Sequence, residues 1–302
     1  VETPETPFHP GETAVQRRAG VLDQAGHVGR SVRAVIPPVA AHFLAERRML
    51  VVGAADARGR IWATLLTGHP GFLGTPDEGT LSVAARPVPG DPLGEVLSGP
   101  AKVGTIALEP AGRRRMRLNG RSRPHAGGLL ISADQVYSNC PKYIQRRRVL
   151  DSPAPAAPPA PPRWSTVLDT GQSLRIATAD TFFIASADAR GDTDASHRGG
   201  NPGFVEVVAP DRLRWPEYPG NNMFMTLGNL EERPQAGLLF PDWETGTALL
   251  LTGTARVGWA AGAPAVDFTV GAVAELPAAG GLRWSAPEFS PANPPVAPTG
   301  RR

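Results

Sequence analysis

From Arg114 to Gly120 charged and apolar side chains alternate (Arg115, Met116, Arg117, Leu118), which is the two-residue period of a half-buried strand. Met49–Ala55 is apolar and predicts a buried strand. Asp56-Ala57-Arg58-Gly59 then reads as a hairpin turn and Ile61–Thr67 as the returning strand. Leu81–Ala85, Lys102–Leu108 and Leu129–Ser132 are further strand segments. The same order follows later: a strand over Asp180–Ala187, a turn at Asp188–Gly191, then strands over Phe204–Val208, Arg212–Trp215, Gln235–Phe240 and Ala248–Trp259. Helical signals are fewer. They cover Glu12–Gln24, a segment from Pro37-Pro38 to Arg48 opened by proline in a first helical turn, and Asn222–Glu232, which stops before Pro234. Many short strands, tight turns and few short helices predict a mainly β protein built of two small barrels rather than a parallel sheet.

The pattern also repeats as sequence. Ala55-Asp56-Ala57-Arg58-Gly59 returns about 132 positions later as Ala187-Asp188-Ala189-Arg190-Gly191, and Pro70-Gly71-Phe72 as Pro202-Gly203-Phe204. Leu118-Asn119-Gly120 and Arg123 are echoed one residue out by Leu251-Thr252-Gly253 and Arg256. That spacing is too long for a solenoid or propeller unit, so the repeated unit is a domain and the chain reads as an internal duplication. Residues 152–162 carry six prolines and predict a stiff spacer of roughly 34 Å at ~3.1 Å per residue. The expected layout is an arm over 1–34, a first barrel over 35–150, a linker over 151–163, a second barrel over 164–286 and a flexible tail over 287–302.

Composition narrows the class. The 302 residues are 41% hydrophobic, with no apolar run near the ~20 residues of a membrane helix and no secretory layout at Val1-Glu2-Thr3-Pro4. Cys140 is the single cysteine, which excludes an internal disulfide framework. The expectation is a cytoplasmic protein with no membrane partner. Arginines cluster at Arg113-Arg114-Arg115, Arg117, Arg121 and Arg123 and again at Arg146-Arg147-Arg148. Aromatics make up only 6% and few lie among those arginines to stack bases, so nucleic acid is not the expected partner. Arginines that meet a phosphorylated small molecule fit better. His9 with Glu12 lacks a third ligand at a familiar spacing, and no metal site is predicted. Cys140 beside Lys142 raises a redox role, against which stands the usual inertness of a lone cysteine.

Two segments carry candidate chemistry. Ser196-His197-Arg198-Gly199-Gly200-Asn201-Pro202-Gly203-Phe204 gathers donors, a fixed positive charge and small residues into what reads as one loop. Arginine grips phosphate in a bidentate way, and the glycines let backbone approach a ligand. The first half has Leu65-Leu66-Thr67-Gly68-His69 in the corresponding place, so the turn is kept and the arginine is not. Trp215-Pro216-Glu217-Tyr218-Pro219-Gly220-Asn221-Asn222 runs into the predicted helix, where Asn221 or Asn222 is a natural N-cap and the helix start a ready anion site.

These segments, with Thr226-Leu227-Gly228-Asn229-Leu230 and Ala236-Gly237-Leu238-Leu239-Phe240, resemble the pyridoxamine 5′-phosphate oxidase-like flavoproteins. Phe8-His9-Pro10-Gly11-Glu12 with Gln16, and Asn139-Cys140-Pro141-Lys142-Tyr143-Ile144-Gln145, resemble a two-domain subgroup of that superfamily. The resemblance implies two tandem split β-barrels of the FMN-binding type, with FMN at their interface. Single-domain members build that interface as a homodimer; here the two halves of one chain would form it, and a homodimer would add to it. Carried over, the cofactor-binding residues are Ser196, His197, Arg198, Asn221, Asn222, Thr226 and Asn229, with Arg115 and Arg117 on the strand that faces the flavin ring and Lys142 with Tyr143 lining the ligand. Arg115 stands where a glutamine is usual, and the lysine of the vitamin-forming oxidases near the helix start is absent. The implied activity is an FMN-dependent oxidoreductase acting on a small-molecule substrate or NAD(P)H, with His197 the nearest proton-transfer candidate. The alternatives are a flavin-binding module that feeds a redox partner, deazaflavin F420 in place of FMN, or haem, for which His42, His69, His125 and His197 are the available axial ligands.

Overall fold

A computed structural model describes residues 6–150, 161–260, 263–277, 279 and 281–296. The expected linker lies outside the described residues except for 161–163, and the expected tail does so beyond residue 296. Helices α1 (Pro10–Arg18), α2 (Leu22–Gly29) and α3 (Pro38–Ala45) precede the first sheet. That sheet holds β1 (Met49–Ala55), β2 (Ile61–Thr67), β3 (Leu73–Asp77), β4 (Thr80–Val83), β5 (Ala101–Glu109), β6 (Arg114–His125) and β7 (Gly128–Ser138). The second half runs β8 (Arg163–Ser165), α4 (Thr170–Thr178), β9 (Thr181–Ala187), β10 (Thr193–Gly199), β11 (Glu206–Ala209) and β12 (Arg212–Pro216). It continues with α5 (Met225–Glu232), β13 (Gln235–Pro241), β14 (Ala248–Ala260) and β15 (Ala263–Leu276).

The strand order is β2-β1-β5-β6-β7-β4-β3 in the first sheet and β10-β9-β13-β14-β15-β12-β11 in the second, with β8 added against β15. The two halves therefore share one connectivity. Neither path returns to its first strand, so each sheet stays open, and the protein is mainly β with short helices, the class expected from the sequence. Local detail repeats too. Asp56 Oδ1 accepts from the N–H groups of Arg58 and Arg60, and Asp188 Oδ1 from those of Arg190 and Asp192. Register shifts fall at Asn119/Gly120 in β6 and at Thr252/Gly253 in β14.

Several elements depart from the sequence pattern. The predicted helix over Glu12–Gln24 is two helices, broken where Gly20 turns left-handed (φ 70°). The helix expected from Asn222 begins at Met225, because Asn222 (φ 64°) and Phe224 (φ 57°) hold left-handed backbone that a right-handed helix cannot include. Phe224, not an asparagine, is the N-cap, and it makes no side-chain cap bond. Ser196–Gly199, read as loop, ends the strand β10. Thr193-Asp194-Ala195-Ser196-His197 is a polar sequence, yet all five residues are buried, because β10 packs against β5 and β6 of the other half. The strands β3 and β15 and the helix α4 are not among the expected elements, although β15 alternates apolar and polar residues over Val266–Val270 and α4 opens on a capping box of Asp169 and Gln172.

The two sheets touch through glycines. A side chain on Gly53 would meet Ala185, one on Gly104 would meet the backbone of Asp194, and one on Gly237 would meet the Cα of Trp62. Gly53 and Ala185 are about 132 positions apart, as are Trp62 and Asp194, and Gly104 and Gly237 about 133. The contact is thus reciprocal, each half presenting the same surface to the other, which is the property of a two-fold interface. One core of buried residues runs through it, joining Val52, Trp62 and Ile106 to Phe183, Ala195 and Leu239. The N-terminal segment crosses to the far half: Val15 of α1 packs into the second core with Leu227 and Leu230 of α5. Among the described residues no helix is long and apolar enough to cross a membrane.

Gly237→Val is expected to cost at least ~3 kcal/mol, the upper part of the usual range for overpacking, because its Cβ would lie 2.6 Å from Ile61 O and from Trp62 Cα, where only backbone can give way. Chemical denaturation of the purified variant checks this; an unchanged midpoint would mean the two sheets are not in backbone contact.

Candidate functional site

The interface opens on one side into a cavity of about 100 Å³. Strand β6 sends Arg115 and Arg117 to it and β10 supplies Ser196, His197 and Arg198. The segment before α5 gives Glu217, Tyr218, Asn221 and Asn222, and the chain between the halves gives Asn139 and Tyr143. Arg115 and Arg117 point the same way because they are two apart on a strand.

The charges are unequally matched. Arg117 pairs with Asp194 in the interior, and Asp194 also accepts from Tyr137 OH (3.1 Å) and Asn119 Nδ2 (3.2 Å). Arg198 Nε donates to Glu217 Oε1 at 2.8 Å, and Trp215 Nε1 donates to the same oxygen at 3.0 Å. Arg115 pairs with no carboxylate among the described residues. Its Nη1 lies 2.9 Å from His197 Nδ1, and its Nε is cut off from solvent without a partner. Burial, then the neighbouring Arg117 and Arg198, lower its pKa to about 9, so it stays charged at neutral pH. A guanidinium only donates, so His197 Nδ1 must accept and the ring proton sits on Nε2. Burial, reinforced by Arg115 and Arg198, holds His197 well below its ordinary pKa and therefore neutral.

Five buried polar atoms without a partner belong to residues that line this cavity: Arg115 Nε, Arg117 Nε, His197 Nε2, Asn221 Nδ2 and Asn139 Oδ1. Four of the five are donors. Thr226 Oγ1 donates to Ser196 Oγ (3.1 Å), which leaves the Ser196 hydroxyl proton free. The cavity therefore holds one uncompensated positive charge and a surplus of donors, and its chemical complement is an anion. Tyr143 and Tyr218, with ring centres 5.2 Å apart, add flat aromatic wall at its edge.

Of the residues singled out from the sequence, Ser196, His197, Arg198, Arg115, Arg117, Asn221, Asn222 and Thr226 meet at this cavity. Asn229 does not: its amide binds Ser186 Oγ (3.0 Å) and His9 Nε2 (2.9 Å) beneath the N-terminal segment. Lys142 is exposed and stands away from the cavity wall, and Cys140 is half-buried beside it in the chain. Asn221 Oδ1 accepts from Met223 N–H (3.2 Å), so it fixes the turn before α5 rather than the helix start. Of the four histidines considered for haem, only His197 reaches the cavity; His42, His69 and His125 are exposed. Asp194, Glu217 and Asn139 were not marked by the sequence as partners. Asp194 has no local signal, since it meets Arg117 from 77 positions away.

The reciprocal position on the other side of the interface is filled. Thr64, Leu65 and Leu66 stand where the second half has Ser196, His197 and Arg198, and Ala248 and Leu250 where the first has Arg115 and Arg117. A void of about 10 Å³ remains there, closed by Leu65, Leu282, Trp243 and Trp284, the two indoles edge to face at 5.4 Å.

The floor of the cavity is braced from the N-terminal segment. Gln16 Nε2 donates to Met223 O (2.9 Å) just before α5. His9 caps α1 and binds Glu232 Oε1 (2.9 Å) on α5, so the His9–Glu12 pair closes a helix-to-helix contact. Gly11 and Gly228 allow the two helices to cross at backbone distance. Burial pushes the Glu12 carboxyl up to about 7 against the opposing pull of His9.

No protein-family model matches the chain, and no curated protein matches it. Solved structures do. A pyridoxamine 5′-phosphate oxidase candidate from Lactobacillus delbrueckii is 17% identical over 36% of this chain and 94% of its own, with a TM-score of 0.31. HupZ from Group A Streptococcus, as an H111A variant, is 13% identical over 36% of this chain and 99% of its own, with a TM-score of 0.31. A Clostridium acetobutylicum protein related to general stress protein 26, of the pyridoxinephosphate oxidase family, is 13% identical over 32% and 78%, with a TM-score of 0.24.

Glu12 gives a pH signature to the helix contact. Its carboxyl ionises near 4.5 when unfolded and near 7 when folded, so between those values the folded state keeps a proton the unfolded state has lost. Stability contributed by this group therefore falls as pH rises through that window and is level above it. Glu12→Gln keeps the acceptor for His9 N–H and removes the titration. Relative to the parent, the variant should gain on the order of 3 kcal/mol between about pH 4 and pH 8. Urea unfolding at both pH values measures the difference, and an equal offset at both would rule out a perturbed Glu12.

Proposed function

We propose that this chain is a flavin-binding oxidoreductase of the pyridoxamine 5′-phosphate oxidase-like type, a duplicated two-barrel protein that holds one FMN in the cavity between its halves. The observation that carries the proposal is the set of orphaned donors around Arg115, a buried cation with no carboxylate partner among the described residues. Two of the segments that resemble that superfamily, Ser196–Phe204 and Trp215–Asn222, contribute residues to the same cavity. At about 100 Å³ the cavity suits a phosphate, below the ~300–1,000 Å³ of whole small-molecule sites. The flat ring would therefore lie toward the rim, where Tyr143, Tyr218 and Phe224 stand.

In this reading Arg115 supplies the fixed charge, and Asn221 Nδ2, the Ser196 hydroxyl and His197 Nε2–H supply directed donors to the phosphate. Arg198 acts indirectly, by holding Glu217 and through it Trp215. His197 stays neutral and serves as a hydrogen-bond donor rather than as an acid. When bound, FMN supplies hydride or electron transfer, and the protein places it and tunes it.

Titration of the purified protein with FMN, followed by absorbance, tests this. One equivalent per chain is expected, because the reciprocal position is closed by Leu65, Trp243 and Trp284. Arg115→Ala should weaken binding at least tenfold, ~1.4 kcal/mol, and more than Arg198→Ala does. No perturbation of the flavin bands at any ratio would end the proposal. A Soret band on adding haem, without flavin binding, would put His197 forward as an axial ligand instead.

A further inference from the structure

Beside the cavity lies a larger groove of about 900 Å³, bordered by α3, the stretch before it and the ends of β6 and β7. Its size falls within the ~300–1,000 Å³ of small-molecule sites. The walls are apolar, from Val35, Val39, Phe43, Met116 and Val136. Val39 is 78% exposed and Val35 41%, so the patch is open in the described protein. Every charged side chain on the groove is an arginine: Arg33, Arg113, Arg114 and Arg115, with no Asp or Glu among the lining residues. Arg114 is paired with Glu109 (3.0 Å), and Arg113 is spent on Ile144 O (2.8 Å) and Glu288 (3.5 Å). Arg33 and Arg115 make no carboxylate pair among the described residues. The groove also shares Arg115 and Asn139 with the inter-sheet cavity, so the two spaces meet at one guanidinium.

We propose that this groove binds an amphipathic anion, a small molecule with an alkyl or fused-ring body and a carboxylate or sulfonate head. The body lies on Val35, Val39 and Phe43 and the head meets Arg33 or Arg115. Apolar wall alone would accept any greasy ligand, and arginines alone any anion; their combination without a single acid selects the molecule that has both parts. A cationic or acid-free amphiphile would leave the head group facing like charge or unpaired donors. Binding stands on the groove itself. Only its further role, as the seat of the substrate next to the cofactor, rests on the flavin reading.

The test uses the full chain freed of flavin and titrates dodecanoate below its micelle concentration, by calorimetry and by displacement of the anionic dye anilinonaphthalene sulfonate. Saturable binding of one equivalent is expected. Val39→Asp and Arg33→Glu, both at exposed positions, should each weaken it at least tenfold while leaving the melting temperature and FMN binding unchanged. Dodecyltrimethylammonium, with the same tail and opposite charge, should bind at least tenfold more weakly than dodecanoate. The proposal falls if the ammonium binds as well, if neither variant weakens dodecanoate, or if sedimentation shows a dimer of this chain that Val39→Asp dissociates. FMN binding without dodecanoate binding overturns the groove alone, and the converse overturns only the flavin reading.

Discussion

The backbone contact between the two sheets is the constraint on which the rest depends. Stacked sheets ordinarily lie about 10 Å apart, with side chains filling the gap. Here glycine at 53, 104 and 237 removes the side chains, so strands of one half rest on strands of the other. That closeness buries β10 although its sequence is polar, and it brings Asp194 onto Arg117. A buried ion pair is costly to break, about 3–5 kcal/mol when one partner is removed, and here Tyr137 and Asn119 satisfy the remaining oxygen. The pair therefore fixes the alignment of the halves as well as their separation.

Two-fold contacts generate sites in pairs, and this chain has kept only one of the pair polar. On the open side Arg117 and Arg198 are neutralised by Asp194 and Glu217, and Arg115 is left with a neutral imidazole. On the closed side leucines and two tryptophans fill the volume. A homodimer of single barrels cannot make this distinction, because both sites must then have the same residues. With both halves in one chain the two sides can carry different residues, and here one side holds charge and the other is packed.

The ends of the chain reinforce the arrangement from outside. The N-terminal helix α1 packs on α5 of the far half, and Gln16 holds the turn in which Asn222 and Phe224 take left-handed backbone. Gln145, between the halves, donates to Asp180 O and Gly200 O and accepts from Ser290 N–H and Asn293 Nδ2. Residues 290–296 are thereby laid against the second half, with Asn293 and Asn201 sharing a further hydrogen bond. Both segments act on the walls of the cavity without entering it.

The sequence alone determined what depends on local periodicity and turn chemistry. Met49–Ala55 and Ile61–Thr67 are strands with those bounds, since an apolar run and an Asp-Ala-Arg-Gly turn suffice for a hairpin. Ser196–Arg198 and Asn221–Asn222 of the cavity were also marked in the sequence, the first because the first half has apolar residues in that place and the second as candidate helix caps. Tertiary structure decided the rest. Whether a polar strand such as β10 is buried depends on a surface from the other half of the chain, which no window of its own sequence contains. Which arginine is free depends on where carboxylates arrive: Glu217 reaches Arg198 from 19 positions away and Asp194 reaches Arg117 from 77, and no carboxylate of the described residues reaches Arg115. Local sequence sets the kinds of groups present, and only the fold sets which of them remain without a partner.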